Sequence, residues 1–346
     1  MKNISELKLG YSDAENYKRR ENKQLFQKFF VQNEYLEQLL SPDISFLVGE
    51  KGTGKTAYSI FLSNTDYHDT KSSTSFIRET EYQKFVHLKQ QHNLGLSDYT
   101  EIWKTLLLLL FCEKLSKHLT APWFGAGKQA IKSINDAVEE FYKNAFAPEL
   151  ITALQLIEQS GVAAEIFAKH TGSGINLSGS KFFSQEKNEK RFQTNLLYIR
   201  RRFEEALSKV KTEFGFIIFV DGIDIRPSSI EFDDYLDCIK GLANAVWYLN
   251  NDFFPEVKDS KGRFRTVLLI RPDIFVKIGL QNANTKLRDN AVMLDWLTTY
   301  REHRRSKLFD VVDNIFRQQQ STNHEIGVCW DHYFPFDIES VKETFT

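Results

Sequence analysis

Residues 44–56 read ISFLVGEKGTGKT, an apolar run leading without a break into a loop of glycine, lysine and threonine. No other stretch limits the possible folds so tightly. A short strand-length run without polar alternation predicts a strand buried on both faces. The helical pattern TAYSIFLSN follows from Thr56, so the order is strand, glycine loop, helix. Gly49, Gly54, Lys55 and Thr56 fit the spacing G-x-x-x-x-G-K-[ST]. Glycines let the backbone curl until successive N–H groups face one point, and a helix N-terminus adds partial positive charge there. Such a cradle suits a phosphate chain. The expected binding stretch is Gly49, Glu50, Lys51, Gly52, Thr53, Gly54, Lys55 and Thr56, with Lys55 on the outer phosphates and the Thr56 hydroxyl on Mg²⁺.

A phosphate site of this kind needs a second strand ending in a carboxylate. GFIIFVDGID at 215–224 supplies one, with Asp221 at the end of the apolar run as the second expected Mg²⁺ contact. Many hydrolytic relatives place Glu directly after that Asp, but here Gly222 stands in its place. The nearest further carboxylate is Asp224. Strict strand alternation would put Asp221 and Asp224 on opposite faces, whereas a turn beginning at Gly222 would return Asp224 to the phosphate as a water-positioning group. A turn-capping role for Asp224 is the alternative. RTVLLIRPDIF (265–275) puts Arg271 at a strand tip, where it could sense an outer phosphate or pair with Asp273. Arg288, just ahead of the predicted strand AVMLDW (291–296), is a candidate arginine finger acting on a neighbouring copy.

Between these strands the chain reads as helix. Leu25, Phe26, Phe29, Phe30, Leu36, Leu39 and Leu40 predict a helix over 22–40, stopped by Ser41-Pro42. STSFI (73–77) is a second strand. Residues 98–119, 128–143 and 149–170 are expected helices, with Asp98 and Glu101 in capping-box spacing. TGSGINLSGS (171–180) reads as a flexible loop. Its LSGS resembles the LSGG signature of ABC-type ATPases, but it lies far ahead of Asp221 and no Glu occupies 222. Phe192, Leu196, Ile199, Phe203, Leu207 and Val210 mark one face of a further helix, and more helix is expected over 231–250 and 298–319. The absence of an [NT]KxD guanine-reading motif favours ATP over GTP.

Composition bounds the rest. Lys and Arg number 45 against 46 Asp and Glu, so the chain is not a general nucleic-acid coat. Arg200–Arg202 and REHRR (301–305) are expected as solvated helix faces, or as contacts to nucleic acid or a partner. Cys112, Cys238 and Cys329 are widely spaced, which speaks against a disulfide framework or a zinc site. The polar start lacks a signal-peptide core, and TLLLLLFC (105–112) is far shorter than a membrane span. A cytoplasmic location away from membranes is expected.

Taken together, GEKGTGKT, IIFVDGID and VLLIRPDIF resemble the STAND and AAA-like branch of P-loop ATPases. CIKGLANAVWYLNNDFF and GLQNANTKLRDNAVMLDW make the chain similar, more narrowly, to the FunZ-type bacterial and prophage family. The resemblance implies an α/β P-loop NTPase fold of the additional-strand type, with a parallel five-stranded sheet, a large all-helical insertion and a C-terminal helical segment. The expected divisions are 1–80 and 211–296 for the ATPase core, 81–210 for the insertion and 297–346 for a lid. No GxP-type lid motif is found, so the lid is minimal or relatives carry more sequence. The resemblance also implies ATP-dependent switching or assembly, a homo-oligomer, a protein partner or effector, and a part in excluding phages. Arg271 matches the arginine that follows the sensor strand. A DNA-dependent AAA-like ATPase and a non-catalytic nucleotide-stabilised scaffold are the alternatives.

Overall fold

The computed structural model describes residues 1–77, 96–119, 126–144, 197–224, 226, 228, 230–298 and 302–335. At its centre are β1 (Phe46–Gly49), β2 (Thr70–Phe76), β3 (Gly215–Asp221), β4 (Phe264–Ile270) and β5 (Ala291–Leu294). All neighbours are parallel, in the order β2-β3-β4-β1-β5. The expected α/β architecture with a parallel five-stranded sheet is therefore present. The inner strands β1, β3 and β4 are buried almost throughout because both faces are covered. The outer strand β2, TKSSTSF, is polar, which suits an edge.

Alternation along the strands divides the core. Phe46, Val48, Phe216, Ile218, Leu268 and Ile270 face one layer. It contains α4 (Leu96–Ser116), α5 (Ala126–Asn144) and α6 (Phe232–Tyr248), together with a helical segment over 197–207. Leu47, Ile217, Phe219, Val267, Leu269 and Val292 face the other. There lie α1 (Arg20–Phe29), α2 (Glu34–Leu40) and α3 (Lys55–Asn64).

The described helices of the 81–210 stretch belong to the main core. Residues Leu106–Cys112 of α4 are apolar and buried all round, as a helical stretch without a polar face must be. Phe111 meets Phe216 of β3 and Phe264 of β4, each at 5.2 Å between ring centroids. Trp103 Nε1 donates to the Cys238 carbonyl at 3.1 Å. Gly241 lets α6 approach closely, since a Cβ there would stand 2.6 Å from Tyr99 Cβ. The proposed capping box at Asp98, the helix at 149–170 and the loop at 171–180 lie outside the described side chains and residues.

The predicted helix over 22–40 is two helices. Asn33 interrupts it by accepting a hydrogen bond from Tyr35 N–H at 3.2 Å, which makes Asn33 the N-cap of α2. Pro272 does not end structure after β4. It opens the short helix α7 (Pro272–Lys277), where its missing N–H costs nothing. Helix α8 (Ala283–Asn290) leads into β5. The C-terminal pair α9 (Lys307–Arg317) and α10 (Val328–Tyr333) folds back onto α1. Asn314 Nδ2 donates to the carbonyls of Lys28 and Phe29, and the buried Asp313 accepts from Gly327 N–H and Trp330 N–H. Among the described residues no helix is long and apolar enough to cross a membrane.

Candidate active site

Strand β1 ends at Gly49, and the loop to α3 depends on backbone freedom at two positions. Gly52 and Gly54 have φ of +91° and +86°, left-handed values that L side chains rarely adopt. At Gly49 the constraint is space, because a Cβ would come within 2.4 Å of Thr53 Oγ1. The loop is braced by Thr53, whose N–H and Oγ1 both donate to the Glu50 carbonyl, at 3.2 and 2.9 Å. Glu50, Lys51 and Gly52 are exposed, leaving their backbone to line the opening.

Lys55 is different, being only 6% exposed. Its Nζ donates to the Gly49 carbonyl at 2.7 Å and the Glu50 carbonyl at 3.3 Å, and it forms an ion pair with Asp224 Oδ2 at 3.3 Å. Thr56 Oγ1 donates to Asp221 Oδ2 at 2.6 Å, joining the start of α3 to the tip of β3. The other carboxylate oxygen, Asp221 Oδ1, accepts from Gly222 N–H at 2.7 Å. Lys55, Thr56, Asp221 and Asp224 are thus brought into one group.

The turn at Gly222 is what returns Asp224 to Lys55. Gly222 has φ of +89°, and a Cβ there would sit 2.4 Å from the Ile77 carbonyl oxygen. A glutamate at 222 is excluded by sterics and backbone strain together. Asp224 Oδ1 also accepts from Arg271 N–H at 3.2 Å, so β4 helps to hold it. Burial pushes both Asp221 and Asp224 above the usual carboxylate range. Hydrogen bonds from Thr56 and Gly222 oppose this at Asp221, and Lys55 opposes it at Asp224.

The two arginines are placed differently. Arg271 caps α7 near Asp224, but its guanidinium pairs with Asp273 at 2.9 Å while Nε is buried without a partner. Arg288 is 77% exposed at its side chain and pairs with Asp289 at 2.8 Å. It precedes Ala291, which is level with the beginning of β1, so Arg288 lies at the opposite end of the sheet from the glycine loop. The structure does not bring it to this group.

A cavity of about 510 Å³ extends from Lys55, Thr56, Asp221 and Asp224 between the N-terminal and C-terminal segments. Its volume is in the range of small-molecule sites. Residues 9–17 form one wall, and Val311 and Ile315 of α9 contribute another. Phe30, Asn33, Tyr58 and Trp296 also line it. These walls come from positions remote in sequence, and periodicity marks them only as core. Asn33 alone carried a local signal, a helix cap followed by the acidic residues Glu34 and Glu37.

The donor set fits a phosphate with a hard cation. Glycine-loop N–H groups and Lys55 suit phosphate oxygens, while a hydroxyl and a carboxylate, Thr56 and Asp221, suit Mg²⁺. Among the described residues no group of three or more His, Cys, Asp or Glu side chains forms an all-protein metal cage. A cation shared with substrate phosphates requires none. No protein-family model, curated protein or solved structure matches the chain.

Proposed function

We propose that the chain binds ATP with Mg²⁺ and hydrolyses it slowly, as a nucleotide-dependent switch or assembly module built on a P-loop NTPase core of the additional-strand type. The observation that carries this reading is the Thr56–Asp221 contact. It joins the helix after the glycine loop to β3, a strand separated from β1 by the intervening β4. A carboxylate and a hydroxyl meeting beside a glycine loop in that sheet order are the parts a P-loop site uses. When bound, Mg²⁺ would neutralise charge on the outer phosphates.

Each residue then has a role. Backbone N–H groups of Gly49–Thr56 hold the phosphates, and Lys55 exchanges Asp224 for an outer phosphate oxygen. Asp221 and Thr56 hold the cation. Asp224, released from Lys55, orients the attacking water and accepts its proton as the bond to phosphorus forms and the bond to the ADP oxygen breaks. Arg271 can report the outer phosphate by exchanging Asp273 for it. Arg288 could act only on another copy, in a head-to-tail contact that sets the lower end of one sheet against the glycine loop of the next. A role in phage exclusion and the existence of an effector follow from the family resemblance.

The DNA-dependent alternative gains little from the surface. Arg200 pairs with Glu101 and Glu204, and Arg202 with Glu140 and Glu205, so two of the three arginines in that run are engaged internally. The scaffold alternative keeps one point in its favour, the exclusion of Glu from position 222.

Turnover of ATP measured against protein concentration tests the proposal. A measurable rate abolished by Lys55→Ala, and cut about a hundredfold or more by Asp224→Asn with binding retained, is expected. A rate per protomer that climbs with concentration and falls in Arg288→Ala would show shared sites. Binding without turnover would leave the scaffold, and unchanged affinity in Lys55→Ala would remove the phosphate assignment.

A further inference from the structure

The cavity has a polar end and an aromatic end, and one side chain at the aromatic end has an orientation its neighbours dictate. Asn33 lines the cavity beside Phe30, Val31 and Tyr58. Phe30 stacks on Phe61 with centroids 4.0 Å apart and meets the Tyr58 ring edge-on at 5.2 Å. These contacts make a rigid apolar wall. Tyr58 stands three residues after Lys55 on α3, about one helical turn further along. The wall therefore continues directly from the group that would hold the phosphates.

Asn33 Oδ1 accepts from Tyr35 N–H at 3.2 Å and from Tyr58 Oη at 2.9 Å. A backbone N–H can only donate, so the amide oxygen must face Tyr35 and the amide cannot be flipped without losing the helix cap. Tyr58 remains a neutral donor, because burial pushes its hydroxyl up to about 12. Asn33 Nδ2, with two N–H donors, points the other way and has no hydrogen-bond partner among the described residues.

Resting on the nucleotide reading above, we infer that Asn33 is a specificity residue for the base. Its Nδ2 donates to a ring-nitrogen acceptor on the edge of a purine lying against the Phe30–Tyr58 wall. The chemistry is one-sided. A nucleotide has a charged tail that suits the glycine loop, and a flat apolar ring with acceptors on its edge. The aromatic end offers apolar surface and, through Asn33, a side-chain amide able only to donate. For adenine the complementary atoms are N1, N3 and N7. Because Asn33 is also the cap of α2, the base contact is built on a fixed backbone and loses little freedom on binding.

The test uses the full chain, with ATP, 1-deaza-ATP, 3-deaza-ATP and 7-deaza-ATP as probes, measured by calorimetry in Mg²⁺. The variants are Asn33→Asp and Asn33→Ser, which both keep an acceptor for Tyr35 N–H while removing Nδ2. Thermal melting confirms that each folds. One deaza analogue is expected to bind wild type about 3- to 10-fold more weakly than ATP, the worth of one neutral hydrogen bond. That same analogue should bind both Asn33 variants no more weakly than ATP binds them, a non-additive cycle. Wild type binding all three analogues as tightly as ATP, or penalties that add in full, would overturn the inference. If wild type bound no ATP and Lys55→Ala changed nothing, the nucleotide reading would fail first and this inference with it.

Discussion

Gly222 shows how much one residue can decide. Its positive φ and its contact with the Ile77 carbonyl form the turn that carries Asp224 to Lys55. Gly222→Ala is expected to destabilise the chain by about 2 kcal/mol or more, from left-handed strain and the clash together. Urea unfolding would measure it. Gly222→Glu should be at least as destabilising and should fail to raise ATP turnover, since the side chain cannot be added without displacing the Ile77 carbonyl just after β2. His118 makes a separate prediction at this scale. It lies half-buried against Phe216, and burial, aided by Lys71, holds its imidazole below the usual histidine range. A depressed histidine pKa means the unfolded chain takes up the proton first. Its contribution to stability is therefore intact above about pH 6.5 and is lost as pH falls through and below that value. Melting temperatures at pH 7.5 and 5.5 should differ less in His118→Phe than in wild type.

At the scale of elements, α4 ties the stretch between β2 and β3 to the sheet. The stretch from 81 to 210 offers helices and no strand, which reads as an all-helical insertion between the second and third strands. The run TLLLLLFC decides where α4 lies, because a helical stretch with no polar face is buried on all sides. Phe111 is fully buried against β3, β4 and Phe254. Phe111→Ala is expected to cost about 3–5 kcal/mol. It should lower the melting temperature of the central sheet itself, in a single transition followed by both near-ultraviolet circular dichroism and ATP protection. An independent helical module would instead give two transitions, with the ATP-protected one unmoved. The split of the 22–40 helix belongs here too. Helical spacing persists through both halves, so periodicity alone could not see the break that Asn33 makes.

At the scale of the whole molecule, the leading segment meets the residues after α9 and helix α10 beside the cavity. Gln320 Oε1 accepts from Lys2 N–H at 2.9 Å, and Gln319 Oε1 accepts from Lys8 N–H at 2.7 Å. Gln319 Nε2 returns a bond to the Lys8 carbonyl at 2.9 Å, and Tyr333 Oη donates to the Lys2 carbonyl at 2.7 Å. These bonds tie the leading segment to the residues just after α9 and to α10, while residues 9–17 and α9 itself line the opening. A bound nucleotide would be enclosed by them. The double variant Gln319→Ala, Gln320→Ala is expected to speed nucleotide release several-fold while leaving the melting temperature of the sheet nearly unchanged, because these bonds are exposed. Displacement of a fluorescent ATP analogue in a stopped-flow instrument would measure the release rate.

Much of this protein is legible in local sequence. Continuous apolar runs specify β1, β3 and β4 as doubly covered parallel strands, because such runs have no solvent face to offer. The glycine spacing specifies the loop after β1, since only glycine adopts those backbone angles without strain. Asp221 at the end of its run follows from the same pattern. Other features depend on which segments pack together, and that is a property of the assembled core. The order β2-β3-β4-β1-β5 decides that Thr56 meets Asp221 and that Asp224 meets Lys55. It also decides that Arg288, adjacent in sequence to a core strand, stands at the far end of the sheet. The cavity wall from residues 9–17, Trp296 and α9 has no local signature, because those residues become neighbours only when the leading segment and α9 close over the glycine loop.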